Sequence, residues 1–472
     1  MKRGEPIIDT APTTRDLSAR RIIGFACNQA FVFHLLYLGA PLSLTLGDIT
    51  FARVDLVVML LFMVLGFVAV RALVRWDNAH HLRRLFARPA LYIYAVIAAG
   101  GALLPLLLPD IDIAALAGKG VLVGIACALL LTAWGRAFGC EGTRVSVPEV
   151  FLGTLVAAIV CLVFSLASDS VLLNGAICLL PLASVVNIDI PTIDNPDTTP
   201  SAGSARSSEA RTLSIKIMFG TALFGLAAGL MQLFSIDAQP ISLPAYQVSM
   251  VLLAAFLIGG LTLLLSDGFG HGAALNKSYR LAVFVMMIGV LLVPWPPLQG
   301  TLLPGESVVM AGYLGLEAVL VSLFLVIAAI TGDDCALSFS AGFLSLFVGE
   351  LVGTVISSAL PGETTMVVLG GAVILLSYVF LFTERDFDDL SSMVSEDDSF
   401  ERTCQAITRQ YGLSNRESEI LTYALRGRTN ERIAQELVIA KSTVDTHLRR
   451  IYSKCGVHSR QELLDLAETI ER

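Results

Sequence analysis

Between Arg428 and Lys454 the chain carries six basic side chains, Arg428, Arg432, Lys441, Arg449, Arg450 and Lys454, interleaved with Thr429, Asn430, Ser442, Thr443, Asp445 and Thr446. At about 100° per residue of a helix, Val444, Leu448 and Ile451 fall on one side, and Ser442, Asp445, Thr446, Arg449 and Ser453 on the other. The apolar side packs, which leaves a face of hydrogen-bond donors and acceptors. Such a face suits double-stranded DNA, because base edges in a major groove about 12 Å wide present distinct donor and acceptor patterns. Arg449 is the first choice as a guanine reader and Thr446 for a methyl or mixed contact. Asp445 has two readings: it accepts from cytosine, or it pairs with Arg449 one turn on. Lys441, Arg450, Lys454, Arg428 and Arg432, with the backbone amides at Thr429 and Ser442, would hold phosphates, which position a protein without specifying sequence. Asn430 and Thr443 complete the candidate contacts. His447 reads as structural, and nothing around it has the spacing of a catalytic or metal site.

A second set of capable residues lies in apolar sequence. His34, Lys119, Glu317 and Glu350 each fall inside a long hydrophobic run, and an ionisable group within a bilayer is a functional candidate by default. The two carboxylates would take a cation or an amine, and Lys119 a carboxylated ligand. The competing reading is an internal ion pair or a polar contact that fixes helix packing. Asn28, Asn174, Asn187 and Gln232 are weaker candidates, because amides often bridge helices.

The elements around these residues follow from composition. The chain is 55% hydrophobic and 15% charged, with a mean hydropathy of +0.73, against about 25% charged residues in ordinary soluble domains. Twelve apolar runs are long enough to cross a hydrocarbon layer of about 30 Å as helices: 22–46, 54–74, 90–108, 113–134, 147–167, 171–188, 214–236, 247–266, 280–296, 306–331, 338–360 and 366–383. The first is too long for a secretory signal and lacks a small-residue cleavage site, so it reads as a span. The eight cysteines are scattered, with no Cys-x-x-Cys, and read as reduced packing residues. The net charge of −8 says little, because charge is segregated along the chain.

Basic residues cluster in alternate loops: Arg71, Arg75, Arg83, Arg84 and Arg88, then Arg136 and Arg144, then Arg206 and Arg211, then Lys277 and Arg280, with Arg53 as the exception. By the positive-inside bias this places the N-terminus in the cytoplasm, and an even number of spans places the C-terminus there too. The expected organisation is a cytoplasmic tail at 1–21, and a membrane domain at 22–383 with halves 22–188 and 214–383 joined by a polar linker at 189–213. An acidic tether at 384–399 and a C-terminal domain at 400–472 complete it. The tether, dense in Asp, Glu and Ser, cannot fold alone, and its r.m.s. reach if flexible is about 20 to 25 Å.

The C-terminal stretch opens Leu413-Ser414-Asn415-Arg416-Glu417-Ser418-Glu419-Ile420-Leu421 and runs through Asn430-Glu431-Arg432-Ile433-Ala434-Gln435-Glu436-Leu437 into Ser442-Thr443-Val444-Asp445-Thr446-His447. It closes with Ile451, Lys454, Gly456, Val457, Ser459 and Arg460. This segment resembles the DNA-binding domain of LuxR-type transcription regulators. Two capping boxes, Ser414-x-x-Glu417 and Ser459-x-x-Glu462, start helices within it, and Phe400, Cys404, Ile407 and Tyr411 predict a short leading helix. The resemblance implies a homodimer on DNA, with Leu463, Leu464 and Ala467 in the dimer contact, and RNA polymerase as a partner. Asp445, Ala440 and Arg450 depart from the family's usual residues. The two six-span halves resemble the major facilitator layout, although that family's Gly, Asp and basic signature is missing at Val74-Arg75-Trp76-Asp77-Asn78-Ala79-His80-His81. The expectation is an all-α chain, a twelve-span bundle plus a helix-turn-helix domain. It would be a membrane-bound regulator that senses a small ligand, with neither cofactor nor enzymatic constellation. A transporter with a regulatory module is the alternative.

Overall fold

The computed structural model describes residues 17–37, 44–46, 49–51, 54–76, 84–107, 113–139, 143–166, 171–188, 204–231, 243–266, 271–293, 304–331, 334–359, 363–380, 400, 403–404, 406–437 and 439–471. The tail at 1–16, residues 189–203 of the 189–213 linker and the tether at 384–399 therefore lie outside the described residues, while residues 204–213 of the linker are helical. Two compact units emerge, a large one from residues 1–192 and 202–388 and a small one completed by residues 389–472.

In the large unit, helices occupy each of the twelve apolar runs: α1 Ala19–Tyr37, α2 Val54–Trp76, α3 Arg88–Leu107, α4 Ile113–Gly139 and α5 Thr143–Ser165, then α6 Val171–Cys178 and α7 Leu180–Asn187 sharing the sixth run. There follow α8 Ser204–Met231, α9 Leu243–Leu264, α10 His271–Leu292, α11 Gly305–Thr331, α12 Cys335–Ala359 and α13 Glu363–Phe380. Among the described residues eight helices are long and apolar enough to cross a membrane, and three shorter apolar helices accompany them. The sixth run breaks at Leu179, two residues before Pro181, whose ring cannot continue a helix interior.

One expectation needs correction. The first run does not stay helical to residue 46. α1 ends at Tyr37, and β1 Leu44–Leu46 pairs antiparallel with β2 Ile49–Phe51, Leu46 opposite Ile49. Thr45, Ile49 and Thr50 are β-branched and favour extended backbone, and the intervening Gly47-Asp48 is a two-residue hairpin signal.

The packing is repeated. In the first half α1 packs on α5 and α7, α2 on α4, and α3 on α4 and α7. In the second half α8 packs on α12 and α13, α9 on α11, and α10 on α11 and α13. Exchanging the halves maps every pair onto its counterpart. The halves meet through α2 with α12 and α5 with α9, which are themselves exchanged by that operation. Phe67 of α2 stacks on Phe343 and Phe347 of α12, with centroids 5.9 and 6.1 Å apart. α11 is buried at every residue from Ser307 to Ala328, which is why its sequence is apolar all round and lacks a polar face.

The tightest seam joins α8 to α12. A Cβ on Gly225 would stand 2.0 Å from the Leu346 carbonyl oxygen, one on Gly229 2.1 Å from that of Glu350, and one on Gly349 2.0 Å from that of Ala222. The two Gly-x-x-x-Gly rows, 225 with 229 and 349 with 353, let backbones touch where no other residue fits.

In the small unit, α14 Asn415–Leu425, α15 Asn430–Glu436, α16 Lys441–Cys455 and α17 Arg460–Glu471 follow a short helical stretch at 406–410. Ile407, Ile420, Leu421, Ala424, Ile433, Val444, Ile451 and Leu463 are fully buried together, and each large aliphatic among them contributes about 1.5 to 3 kcal/mol. Cys404 and Ile407 of the leading segment join this core, with Phe400 and Tyr411 packed against it. Gly427 and Gly456 end α14 and α16 at φ of 78° and 69°, a left-handed conformation that glycine adopts without steric cost.

Candidate nucleic-acid interface and buried membrane charges

α16 presents the amphipathic face that its spacing predicts. Val444, Leu448, Ile451 and Cys455 are buried, while Lys441, Ser442, Thr443, Thr446, Arg449, Arg450, Ser453 and Lys454 are exposed. The helix starts at Ala440 without a side-chain cap, because a methyl group has no acceptor for the first amides. Thr446 Oγ1 donates back to the Ser442 carbonyl at 2.8 Å. Asp445 accepts through Oδ1 from Asn430 Nδ2 at 2.7 Å, and among the described residues no ion pair joins it to Arg449. Asn430 opens α15, so this bond ties the first helix of the turn to the second. Both residues thereby serve the geometry of the helix pair.

The expected phosphate contacts divide. Arg432, Arg449 and Arg450 are exposed and Arg428 is half-buried. Thr429 caps α15, its hydroxyl accepting from the Arg432 amide at 3.3 Å. Lys441 is exposed but pairs with Glu431, an interaction that pulls the Glu431 carboxyl below its usual range and raises the Lys441 ammonium. Lys454, exposed near the end of α16, is also paired: its Nζ donates to Glu417 Oε2 at 2.7 Å and to the Gly412 carbonyl at 3.0 Å. The reason is the capping box. Ser414 accepts from the Glu417 amide and Glu417 Oε2 accepts from the Ser414 amide, which leaves a carboxylate 5% exposed that needs a cation. Lys454 supplies it, and that pair, with the Ser414 amide, holds the Glu417 carboxyl down to about 2.

The last helix differs in two details. Glu462 reaches back to the His458 amide at 2.9 Å, while its own amide donates to Ser459 Oγ at 3.1 Å, so the second box spans one residue more than expected. Leu463, assigned to a dimer contact, is 0% exposed inside the module's own core, with Leu464 and Ala467 partly buried against it. Arg460, not singled out for a role, donates through Nη2 to the Ala424 carbonyl at 2.7 Å and stops the end of α14.

Within the large unit, Lys119 Nζ meets Asp55 Oδ2 at 3.1 Å, both residues buried, so the pairing alternative holds there. Arg21 bonds buried Glu149 at 2.7 Å, and the Ser18 amide donates to the same carboxylate. Arg136 faces Asp334 at 3.7 Å, and Arg71 Nη1 donates to the Leu337 carbonyl at 3.0 Å; both link the two halves. Asp55 and Glu149 escaped the sequence reading because they sit at the starts of the apolar runs 54–74 and 147–167, where a charge looks solvated. His34 is half-buried. Glu317 is 3% exposed and Glu350 fully buried, with the Tyr313 hydroxyl donating to Glu350 Oε2 at 3.5 Å.

Comparison with known proteins agrees with this division. Residues 412–467 match the bacterial regulatory proteins of the luxR family. Over 87 residues the chain is 39% identical to the uncharacterized response regulatory protein YgeK of Escherichia coli K12, covering 18% of this chain and 59% of that protein. Over 59 residues it is 42% identical to the Fimbriae Z protein of Salmonella typhimurium, covering 12% of this chain and 28% of that one. Over 64 residues it is 38% identical to the HTH-type transcriptional regulator MalT of Vibrio campbellii, 14% and 7% of the two chains. The chain thus spans less than two thirds of each of these relatives. The human organic anion transporter MFSD10 superposes with a TM-score of 0.50 at 13% identity, over 79% of this chain and 100% of that one. A bacterial homologue of the iron transporter ferroportin superposes with a TM-score of 0.51 at 14% identity, over 80% and 99%. At such identities the likeness is one of fold alone.

Residues 412–467 are thus a domain similar to those of the luxR family, joined to a multi-helix bundle that shares the fold of these transporters.

Proposed function

We propose that this protein is a membrane-bound transcription regulator that senses a small ligand through its bundle and binds promoter DNA through its C-terminal domain. The observation that carries the reading is the exposed face of α16, where Ser442, Thr446 and Arg449 stand clear of the core beside a helix start at Ala440 that no side chain caps. Arg449 reads a base edge, while Arg428, Arg432, Lys441 and Arg450, with Thr429, Ser442 and Thr443, hold the backbone. Both termini lie in the cytoplasm, as the basic loops require. DNA is met close to the membrane, since the 384–399 tether is short. Two copies occupy half-sites about 34 Å apart, so pairing of bundles on ligand binding raises the local concentration of the second domain. RNA polymerase is the downstream partner, and the ligand meets the ionisable residues of the bundle, His34, Glu317 and Glu350, while Lys119 stays paired with Asp55. The test is a footprint of the full chain in lipid discs on its promoter. A discrete protected site that disappears with Arg449→Ala is expected; protection unchanged by that substitution defeats the reading.

The repeated packing of the two halves and the likeness to transporters favour one alternative, a working transporter with a regulatory DNA-binding module. Accumulation of a solute in vesicles, abolished by Glu350→Gln, supports the transporter; ligand binding without flux supports the sensor.

A further inference from the structure

Asp445 is the one acidic residue of α16, and it stands about 40° around the helix from Arg449, on the side that carries Ser442 and Thr446. A carboxylate there is set against the phosphates of any duplex the helix enters. Its geometry is nevertheless fixed. Oδ1 accepts from Asn430 Nδ2 at 2.7 Å, and Asn430 is the first residue of α15, whose start Thr429 caps. The nearby cations do not claim the second oxygen: Lys441, one turn earlier, is paired with Glu431, and among the described residues neither an ion pair nor a hydrogen bond joins Asp445 to Arg449. Oδ2 is therefore an oriented, half-exposed acceptor with a free valence.

Only a base can satisfy it on DNA. In the major groove the N–H donors are cytosine N4 and adenine N6, and adenine sets the acceptor N7 beside its amino group. A carboxylate has acceptors alone, so adenine N7 repels the oxygen that the amino group attracts, and cytosine remains. We infer that Asp445 is a specificity-determining residue whose Oδ2 accepts from cytosine N4, with Asn430 as the positioning residue that turns the carboxylate into the groove. The inference rests on the DNA-binding reading above and supplies part of the target sequence. Four residues of helix advance about 6 Å, nearly two base steps of about 3.4 Å. The cytosine thus lies one or two base pairs from the guanine that Arg449 reads.

The test is selection of bound duplexes from a randomised library by the full chain in lipid discs, beside Asp445→Ala, Asp445→Asn, Asn430→Ala and Arg449→Ala. Native sites are expected to hold a cytosine within two base pairs of a guanine whose selection is lost in Arg449→Ala. Replacing that cytosine should weaken native binding about fivefold to tenfold. Asp445→Ala should bind all four bases there within about twofold while still selecting the guanine. Asp445→Asn keeps an acceptor for Asn430 and adds an amide donor, which suits adenine N7, so its preference should move from cytosine to adenine; this variant carries the test if Asp445→Ala does not fold. Asn430→Ala should lower discrimination at the cytosine and leave the guanine unaffected. Native sites without that cytosine overturn the inference, as does a cytosine preference kept in both Asp445 variants or a uniform loss of affinity at every position, which marks Asp445 as a tie between helices alone. Discrimination unchanged in Asn430→Ala overturns the positioning role. A guanine that depends on Arg449 beside a position indifferent to Asp445 defeats this inference and upholds DNA reading; no selected sequence with the native chain defeats both.

Discussion

At the scale of single residues, the surface proposed to meet DNA is tuned by acids as much as by bases. Glu431 occupies Lys441 in the free protein, so a phosphate must displace a carboxylate before Lys441 contributes. Glu431→Gln is therefore expected to strengthen binding to any duplex several-fold at low salt and to steepen the salt dependence by about one counterion, measured by titration at several salt concentrations; a weaker complex contradicts the assignment. Glu417 acts inward. Its carboxyl is held at about 2, mainly by Lys454, so the charged form is favoured by folding. A depressed pKa of this kind contributes stability that is complete above the usual value near 4.5 and is lost as pH falls toward 2. Lys454→Met should move that loss to higher pH and cost about 1 kcal/mol, since Lys454 is 39% exposed and solvent screens the pair. Hydrogen exchange of the α14 amides in the full chain from pH 5 to pH 3 measures it. Loss at the same pH in both proteins would show that the ion pair contributes nothing.

At the scale of elements, the α8–α12 seam is the least tolerant place in the bundle. Gly349→Val puts a branched side chain where a Cβ already meets the Ala222 carbonyl oxygen at 2.0 Å, so the helices must part. The expected loss is about 3 kcal/mol, read as a fall in Tm in lipid discs, while Gly259→Ala, where nothing lies within 4 Å, should leave Tm unchanged. This contrast marks how far sequence reading reaches. The apolar runs, the face of α16 and the Ser414 capping box were legible because each is a local pattern of period or spacing. The Gly-x-x-x-Gly rows were visible as spacing, yet other glycines face open space, so spacing alone did not select them. The β1–β2 pair lay hidden in the first run, since a short apolar stretch has no period that separates strand from helix; Gly47-Asp48 was the available signal. The pairings of Lys119 with Asp55, Asn430 with Asp445 and Lys454 with Glu417 join residues 64, 15 and 37 positions apart, and only the tertiary path brings such partners together. The carboxylate partner of Lys454 stayed out of reach of sequence for that reason.

At the scale of the whole molecule, the chain combines a bundle whose two halves repeat one packing scheme with a small domain whose helix α16 is proposed to read the groove. The halves are linked by Arg136 with Asp334 and by Arg71 with the Leu337 carbonyl, so rocking of one half against the other must break these contacts. Arg136→Ala should therefore shift the bundle toward the state in which they are open, seen as altered distances between spin labels placed on α4 and α12; unchanged distances would mean the pair does not report on that motion. The central claim joins both parts: a protein embedded in the membrane occupies specific operators through α16. Its most direct test is chromatin immunoprecipitation of the full-length protein from the membrane fraction, beside Arg449→Ala. Discrete genomic sites recovered with the native chain and lost in the variant are predicted. Recovery of no discrete site, or of the same sites at the same occupancy from the variant, would contradict the account.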